Sequence, residues 1–283
     1  MKLGLAVPFV DHEALLSWAQ RADEGPYHRL GLPDRIVYDN PETMMMLAAM
    51  AAVTTRIRLQ SEILLAPLRE PVVLAKQAAT LDRLSRGRFS LGLGVGARDD
   101  DFRAVGADFA RRGRRLEEQL TLMRRIWSGA PLNDGVGSVG PSPLHARGPE
   151  LLFGAFAPSA LARVARWGDG FLCAALPEQA GGMLQLVRRQ WQEAGREGQP
   201  VLIGQINVAL GPEATVEQAR ASMLRYYGFA PAFAETSATE MITTEDGIRQ
   251  AVEAYRDLGA DEVMLGCWSD EIGQVDRLAD IAL

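Results

Sequence analysis

Residues 71–96 read PVVLAKQAATLDRLSRGRFSLGLGVG, and inside this stretch a helix hands over to a strand. Leu74, Ala75, Ala78, Leu81 and Leu84 recur at helical spacing and give one apolar face. Gly87 closes the helix, Phe89–Leu93 is a short apolar run of strand type, and the glycines at 94 and 96 follow it. A strand this short and this apolar is buried on both faces, as a parallel strand between helices must be.

The same unit repeats in both directions. Candidate strands are Leu3–Phe9, Arg29–Leu32, Ile57–Leu65, Phe89–Leu93, Leu151–Phe153, Gly170–Ala174, Val201–Leu210 and Glu262–Cys267, eight in all. Between them run helical faces such as Leu15, Leu16, Trp18, Ala19 and Ala22, or Leu116, Leu120, Met123, Ile126 and Trp127. Eight strand–helix units predict a single (β/α)₈ TIM barrel over residues 1–283, with loop insertions at the C-terminal rim. An open doubly wound sheet is the alternative. Gly92–Gly96 lacks the third glycine of a dinucleotide-binding turn, and no acidic residue follows a strand–Gly-x-Gly-x-x-Gly unit at the required distance.

Two segments break the rhythm and read as long loops, lids or plain surface excursions. They are Ser128–Pro149, with five glycines and four prolines, and Tyr227–Thr243, rich in alanine and small polar residues.

Composition narrows the function. Thirty basic against 36 acidic residues give a net charge of −6, the wrong sign for coating nucleic acid or an anionic membrane, so a small-molecule substrate is expected. No window approaches 18 uninterrupted apolar residues and the start carries no signal-like pattern, which predicts a cytoplasmic protein. Cys173 and Cys267 sit in apolar, strand-like surroundings and read as reduced core residues.

A barrel builds its site at the strand C-termini. There Glu62 is a lone carboxylate in the apolar run Ile57–Leu65, which requires either a pairing arginine, Arg58 or Arg29, or a ligand. The glycines of Gly94-Val95-Gly96 admit close approach by a flat ligand, and Arg98 suits a phosphate or carboxylate. Asp99–Asp101 reads as the acidic first turn of a helix rather than a metal site. The turn Gly154-Ala155-Phe156-Ala157-Pro158-Ser159 runs into a helix and is either an anion site or a helix capped by Ser159. His12, just past the first strand, is the one histidine considered for proton transfer.

Residues 71–96 are strongly similar to the bacterial luciferase-like flavin monooxygenase family. So are Asp101–Gly106, Arg111–Leu116 and Ala165–Phe171, four blocks in the expected order. The resemblance implies a usually dimeric (β/α)₈ barrel holding FMN, or the deazaflavin coenzyme F-420, at the strand C-termini. It implies oxidoreductase chemistry, with a separate flavin reductase as a possible partner for the FMN monooxygenases. It also implies a non-prolyl cis peptide against the flavin ring around Glu62 and Ile63 and a phosphate grip at Gly94–Arg98 and Gly154–Ser159, with Pro8 as a further cofactor-binding residue. Many members carry Asp-His after the second strand, whereas this chain has Asp34-Arg35, and arginine accepts no proton near neutral pH. The proton-transfer candidates are therefore Glu62 and His12, with Arg35 in the vacated position. A flavin-binding barrel without turnover and a phosphate-sugar lyase or isomerase remain the competing readings. The methionine-rich Thr43–Val53 helix cannot bury Met44, Met45 and Met46 together, and it is the expected homodimer face.

Overall fold

The computed structural model describes residues 1–7 and 11–281. Strands β1 (Lys2–Ala6), β2 (Arg29–Leu32), β3 (Arg58–Ser61), β4 (Leu64–Leu65) and β5 (Phe89–Gly94) form the first half of one sheet. A small hairpin, β6 (Pro131–Asn133) and β7 (Val136–Ser138), stands apart from it. β8 (Glu150–Gly154), β9 (Gly170–Cys173), β10 (Val201–Val208) and β11 (Glu262–Cys267) complete the sheet. Every pairing in it is parallel, β11 pairs with β1, and both β3 and β4 pair with β5, so the sheet closes. β3 and β4 are two pieces of the third barrel strand, separated by Glu62 and Ile63, whose peptide bond is cis. The eight sequence runs thus match eight barrel positions, except that the third is interrupted.

Around the barrel pack α1 (His12–Glu24), α2 (Thr43–Val53), α3 (Pro71–Leu84), α4 (Asp99–Val105), α5 (Arg112–Trp127), α6 (Pro158–Trp167), α7 (Pro177–Glu193), α8 (Glu213–Tyr226), α9 (Pro231–Thr239), α10 (Glu245–Asp257) and α11 (Gln274–Ala279). Leu3, Leu5, Leu30, Leu59 and Leu91 belong to the shell shared with these helices, while Ala6, Leu152, Leu172, Ile203 and Met264 form a separate cluster inside the barrel. This is the period of two of a strand buried on both sides. In α2, Met44 and Met46 are buried and Met45 is 69% exposed. Both cysteines are buried and free, and burial pushes their thiols up to about 11 for Cys173 and about 12 for Cys267. Among the described residues no helix is long and apolar enough to cross a membrane.

The two irregular segments differ from the expectation. Residues 128–149 contain the β6–β7 hairpin and follow α5, which descends from the rim, so they lie on the N-terminal face. Lys76 and Arg83 donate to the Gly140 and Ser142 carbonyls, and the Leu144 amide donates to Asp82 at the lower end of α3. This insertion is therefore not at the C-terminal rim. Residues 227–243 contain α9 and do lie at the rim, because Ile242 returns to bridge Val208 at the upper end of β10. The sequence reading missed α9 because its alanines and small polar residues carry little amphipathic pattern.

The interior of the barrel is charged where its strands begin. Arg29, 2% exposed, donates to Glu262 (3.2 Å), Glu150 (3.1 Å), Gln60 (3.0 Å) and Ser90 (2.7 Å). Arg58 adds bonds to Ser90 and Glu150, and His28 Nδ1 lies 3.1 Å from Glu262. Burial opposes ionisation of Glu150, but Arg29, Arg58 and the Ser90 hydroxyl outweigh it and draw the carboxyl down to about 2. A depressed acid contributes stability that is complete above its unfolded value near 4.5 and is lost as pH falls toward 2. Replacing Arg29 by Met takes the shared cation from Glu150 and Glu262, leaving Arg58 on the first and His28 beside the second, and is expected to cost about 3–5 kcal/mol in urea denaturation at pH 7. A loss below about 1 kcal/mol would show that this ion cluster does not brace the barrel.

Candidate active site at the barrel mouth

β3 and the residue that follows it deliver Arg58, Gln60 and Glu62 to the barrel interior at alternate positions, so Glu62 stands above the ion cluster at the mouth. Of the two readings, a pairing arginine or a ligand, the first is not realised: neither Arg58 nor Arg29 pairs with it, because Glu150 and Glu262 occupy both cations. Its Oε2 accepts from Gln60 Nε2 at 2.7 Å, and its Oε1 is buried without a partner among the described residues. Burial is the largest influence on Glu62 and raises its carboxyl. Gln60 and Arg29 act against burial, Glu262 acts with it, and the result is a value of about 7.

Glycines make the room. A Cβ at Gly31 would overlap the Glu62 carboxylate, and one at Gly94 would overlap Ile63, which also lies against Gly154. Ile63 is thus seated between the ends of β5 and β8 as an apolar floor at the mouth. Beyond it the turn from Gly154 to Ser159 is open, with Phe156 62% exposed. Ala157, not Ser159, is the cap of α6, and no side chain caps that helix. The apolar floor, the glycine cradle and the orphaned Glu62 oxygen fit a flat heteroaromatic ring carrying polar edge groups.

The remaining candidates separate. Gly94, Val95 and Gly96 line the upper end of β5, with Gly96 at φ +78°. Arg98 is engaged by Asp100 and stacks on Phe229 at 4.8 Å. Asp99, Asp100 and Asp101 open α4 as expected. Arg35 is buried in an ion pair with Asp101 (3.1 Å) and stacks on Tyr226 at 4.9 Å, so it ties the loop after β2 to the rim. Asp101 also accepts from the Ile36 and Val37 amides, and Asp34 is held by Arg69, Thr43 and the Leu65 amide. His12 is the exposed first residue of α1, capped by Asp11. Pro8 lies outside the described residues.

Sequence reasoning missed the rim aromatics. Tyr226, Tyr227 and Trp268 pack together, and Trp268 Nε1 donates to Asn207 at the end of β10 (2.9 Å). A cavity of about 260 Å³ opens beside them, lined by residues that include Tyr38, Ser222, Arg225, Trp268 and Asp270. Gln60 was also missed, although the alternation of Arg58, Gln60 and Glu62 marks one strand face.

A closed parallel barrel with a carboxyl group and an apolar floor at its C-terminal mouth has the architecture of a (β/α)₈ enzyme. Residues 6–265 match the luciferase-like monooxygenase family, and the chain belongs to that family. An uncharacterized protein of Mycobacterium tuberculosis (strain ATCC 25618 / H37Rv) is 32% identical over 179 residues, 61% of this chain and 64% of its relative. This chain therefore spans a little under two thirds of the length of such relatives. An F420-dependent secondary alcohol dehydrogenase in complex with an F420–acetone adduct superposes with TM-score 0.82 at 17% identity, over 99% of this chain and 97% of the other. The oxygenating constituent of 3,6-diketocamphane monooxygenase from Pseudomonas putida, in complex with FMN, gives 0.76 at 14% identity, over 99% and 95%. These two likenesses establish the fold.

A raised carboxyl works against stability above its unfolded value. Glu62 costs nothing below pH 4.5, and its cost grows as pH rises through 7. Glu62→Gln is therefore expected to match the parent near pH 4 and to exceed it by up to about 3 kcal/mol at pH 8, read from urea midpoints. A variant less stable than the parent at pH 8 would mean that the charged form is compensated in the fold.

Proposed function

We propose that this chain is a flavin-dependent oxidoreductase that binds reduced FMN at the barrel mouth and oxidises a small organic substrate, with Glu62 as the proton-transferring group. The observation that carries the reading is the Glu62 carboxyl, with one oxygen unpartnered among the described residues and a midpoint near neutrality, beside an Ile63 floor at the family's ring-contact position. Ile63, Gly94 and Gly154 would support the ring, and Gly94–Gly96 with the open 154–159 turn would hold the phosphate arm. Arg98 joins them by exchanging Asp100 for an anion. A bound reduced flavin supplies hydride equivalents and, in the FMN form, dioxygen activation. Glu62 holds or releases a proton at Oε1, and the rim aromatics keep water from the mouth.

A second reading is hydride transfer with the deazaflavin coenzyme F-420. A carboxyl that is half protonated near pH 7 favours it, because reducing a carbonyl group needs a proton donor at the mouth. Fluorescence titration with FMN and with the deazaflavin, followed by mixing each reduced complex with oxygen, separates the two. Saturable FMN binding with substrate-dependent oxygen consumption is expected. Binding of neither compound would overturn the proposal, and binding without any turnover would favour a non-catalytic barrel. Glu62→Gln should retain cofactor affinity and slow turnover by about 10²–10⁴.

The same reading includes a separate reductase as the source of reduced FMN, a cytoplasmic location, and a homodimer formed through α2 and α3. Met45 and Val73, 69% and 52% exposed, are apolar surface on those helices. Light scattering is expected to report about twice the 30.8 kDa chain mass, and Met45→Glu should return it to one chain. A parent that scatters as one chain at micromolar concentration would remove the dimer.

A further inference from the structure

Gln60 is fully buried between the ion cluster below and Glu62 above. Its Oε1 accepts from Arg29 Nη1 at 3.0 Å, and its Nε2 donates to Glu62 Oε2 at 2.7 Å. A guanidinium has donors only, so the amide has one permitted orientation, with oxygen toward Arg29 and nitrogen toward Glu62. Flipping it would set N–H against N–H on one side and oxygen against carboxylate on the other. In the protonated acid the carbonyl-type oxygen is the stronger acceptor, so the Gln60 N–H favours Oε2 as that oxygen. The proton is left to Oε1, the oxygen without a partner among the described residues.

The charges around Glu62 make this bond count. From β2 it faces Arg29, and from β11 it faces Glu262, with His28 behind. Below lie Arg58 and Glu150. Arg29 and Arg58 are matched by Glu150 and Glu262, so among the described residues ionised Glu62 has no cation of its own, and Gln60 is its one hydrogen-bond donor.

We infer that Gln60 is a positioning residue for Glu62: oriented by Arg29, it occupies Oε2 with an N–H donor and so assigns proton exchange to Oε1. This rests on the reading of Glu62 as the proton-transferring group. It places the origin of the mouth's protonation state in the ion cluster within the barrel. The ligand it implies brings a group that donates to, or accepts from, a single carboxyl oxygen.

The test is pH-difference infrared spectroscopy on the full chain without added cofactor. The carboxyl band that disappears in Glu62→Gln identifies Glu62. In Gln60→Met, which keeps the bulk and removes the donor, that band should move to higher frequency and its midpoint should rise by about one to two pH units. Gln60→Asn, whose donor is withdrawn by one methylene, should fall between parent and Gln60→Met. Circular dichroism melting checks that each variant folds, and if Gln60→Met does not, Gln60→Asn decides. An unchanged band and midpoint in a folded Gln60 variant would overturn the inference. If the Gln60 variants shift the band while Glu62→Gln retains full turnover, the positioning stands and the functional reading of Glu62 fails.

Discussion

The guanidinium of Arg29 inside the barrel is the interaction on which the rest depends. A buried cation is tolerable only when its donors are met by anions and polar oxygens. Here Glu262 comes from β11, Glu150 from β8, Ser90 from β5 and Gln60 from β3. One side chain thus joins strands that do not all pair with one another. Leu152 and Met264, two residues further along β8 and β11, join Leu172 and Ile203 to fill the adjoining interior in the ordinary apolar way.

The ion cluster bears on the mouth. Because Arg29 and Arg58 already have their carboxylates, none of this positive charge pairs directly with Glu62, which burial therefore holds close to neutrality. Glycine at 31 and 94 gives the space for Glu62 and Ile63, so the groups at the mouth are set by what their neighbours lack. The rim is closed from the other side by the α8–α9 insertion. Its Tyr226 and Phe229 meet Arg35 and Arg98, which are themselves held by Asp101 and Asp100.

Much of this was legible in residue order. Helical faces and doubly buried strands are local patterns, so the eight units and the barrel follow from periodicity. The family resemblance pointed to Glu62 and Ile63, where the cis peptide lies. The segments 128–149 and 227–243 were alike as irregular sequence. Only the direction of the preceding helix separates an insertion on the lower face from one at the rim.

The sequence by itself therefore determined the strand–helix count, the family and a lone carboxylate in the third strand, because those depend on residues near one another along the chain. The tertiary structure decided which carboxylate each arginine takes. It turned Arg35 from a vacated catalytic position into a buried tie, and it put Gln60 between Arg29 and Glu62. Those outcomes depend on partners that stand some 30 to 230 residues apart in sequence, Arg29 from Gln60 and from Glu262, and that meet only when the sheet closes. The physical reason is that pairing and desolvation are properties of the closed interior, and no local pattern along the chain encodes them.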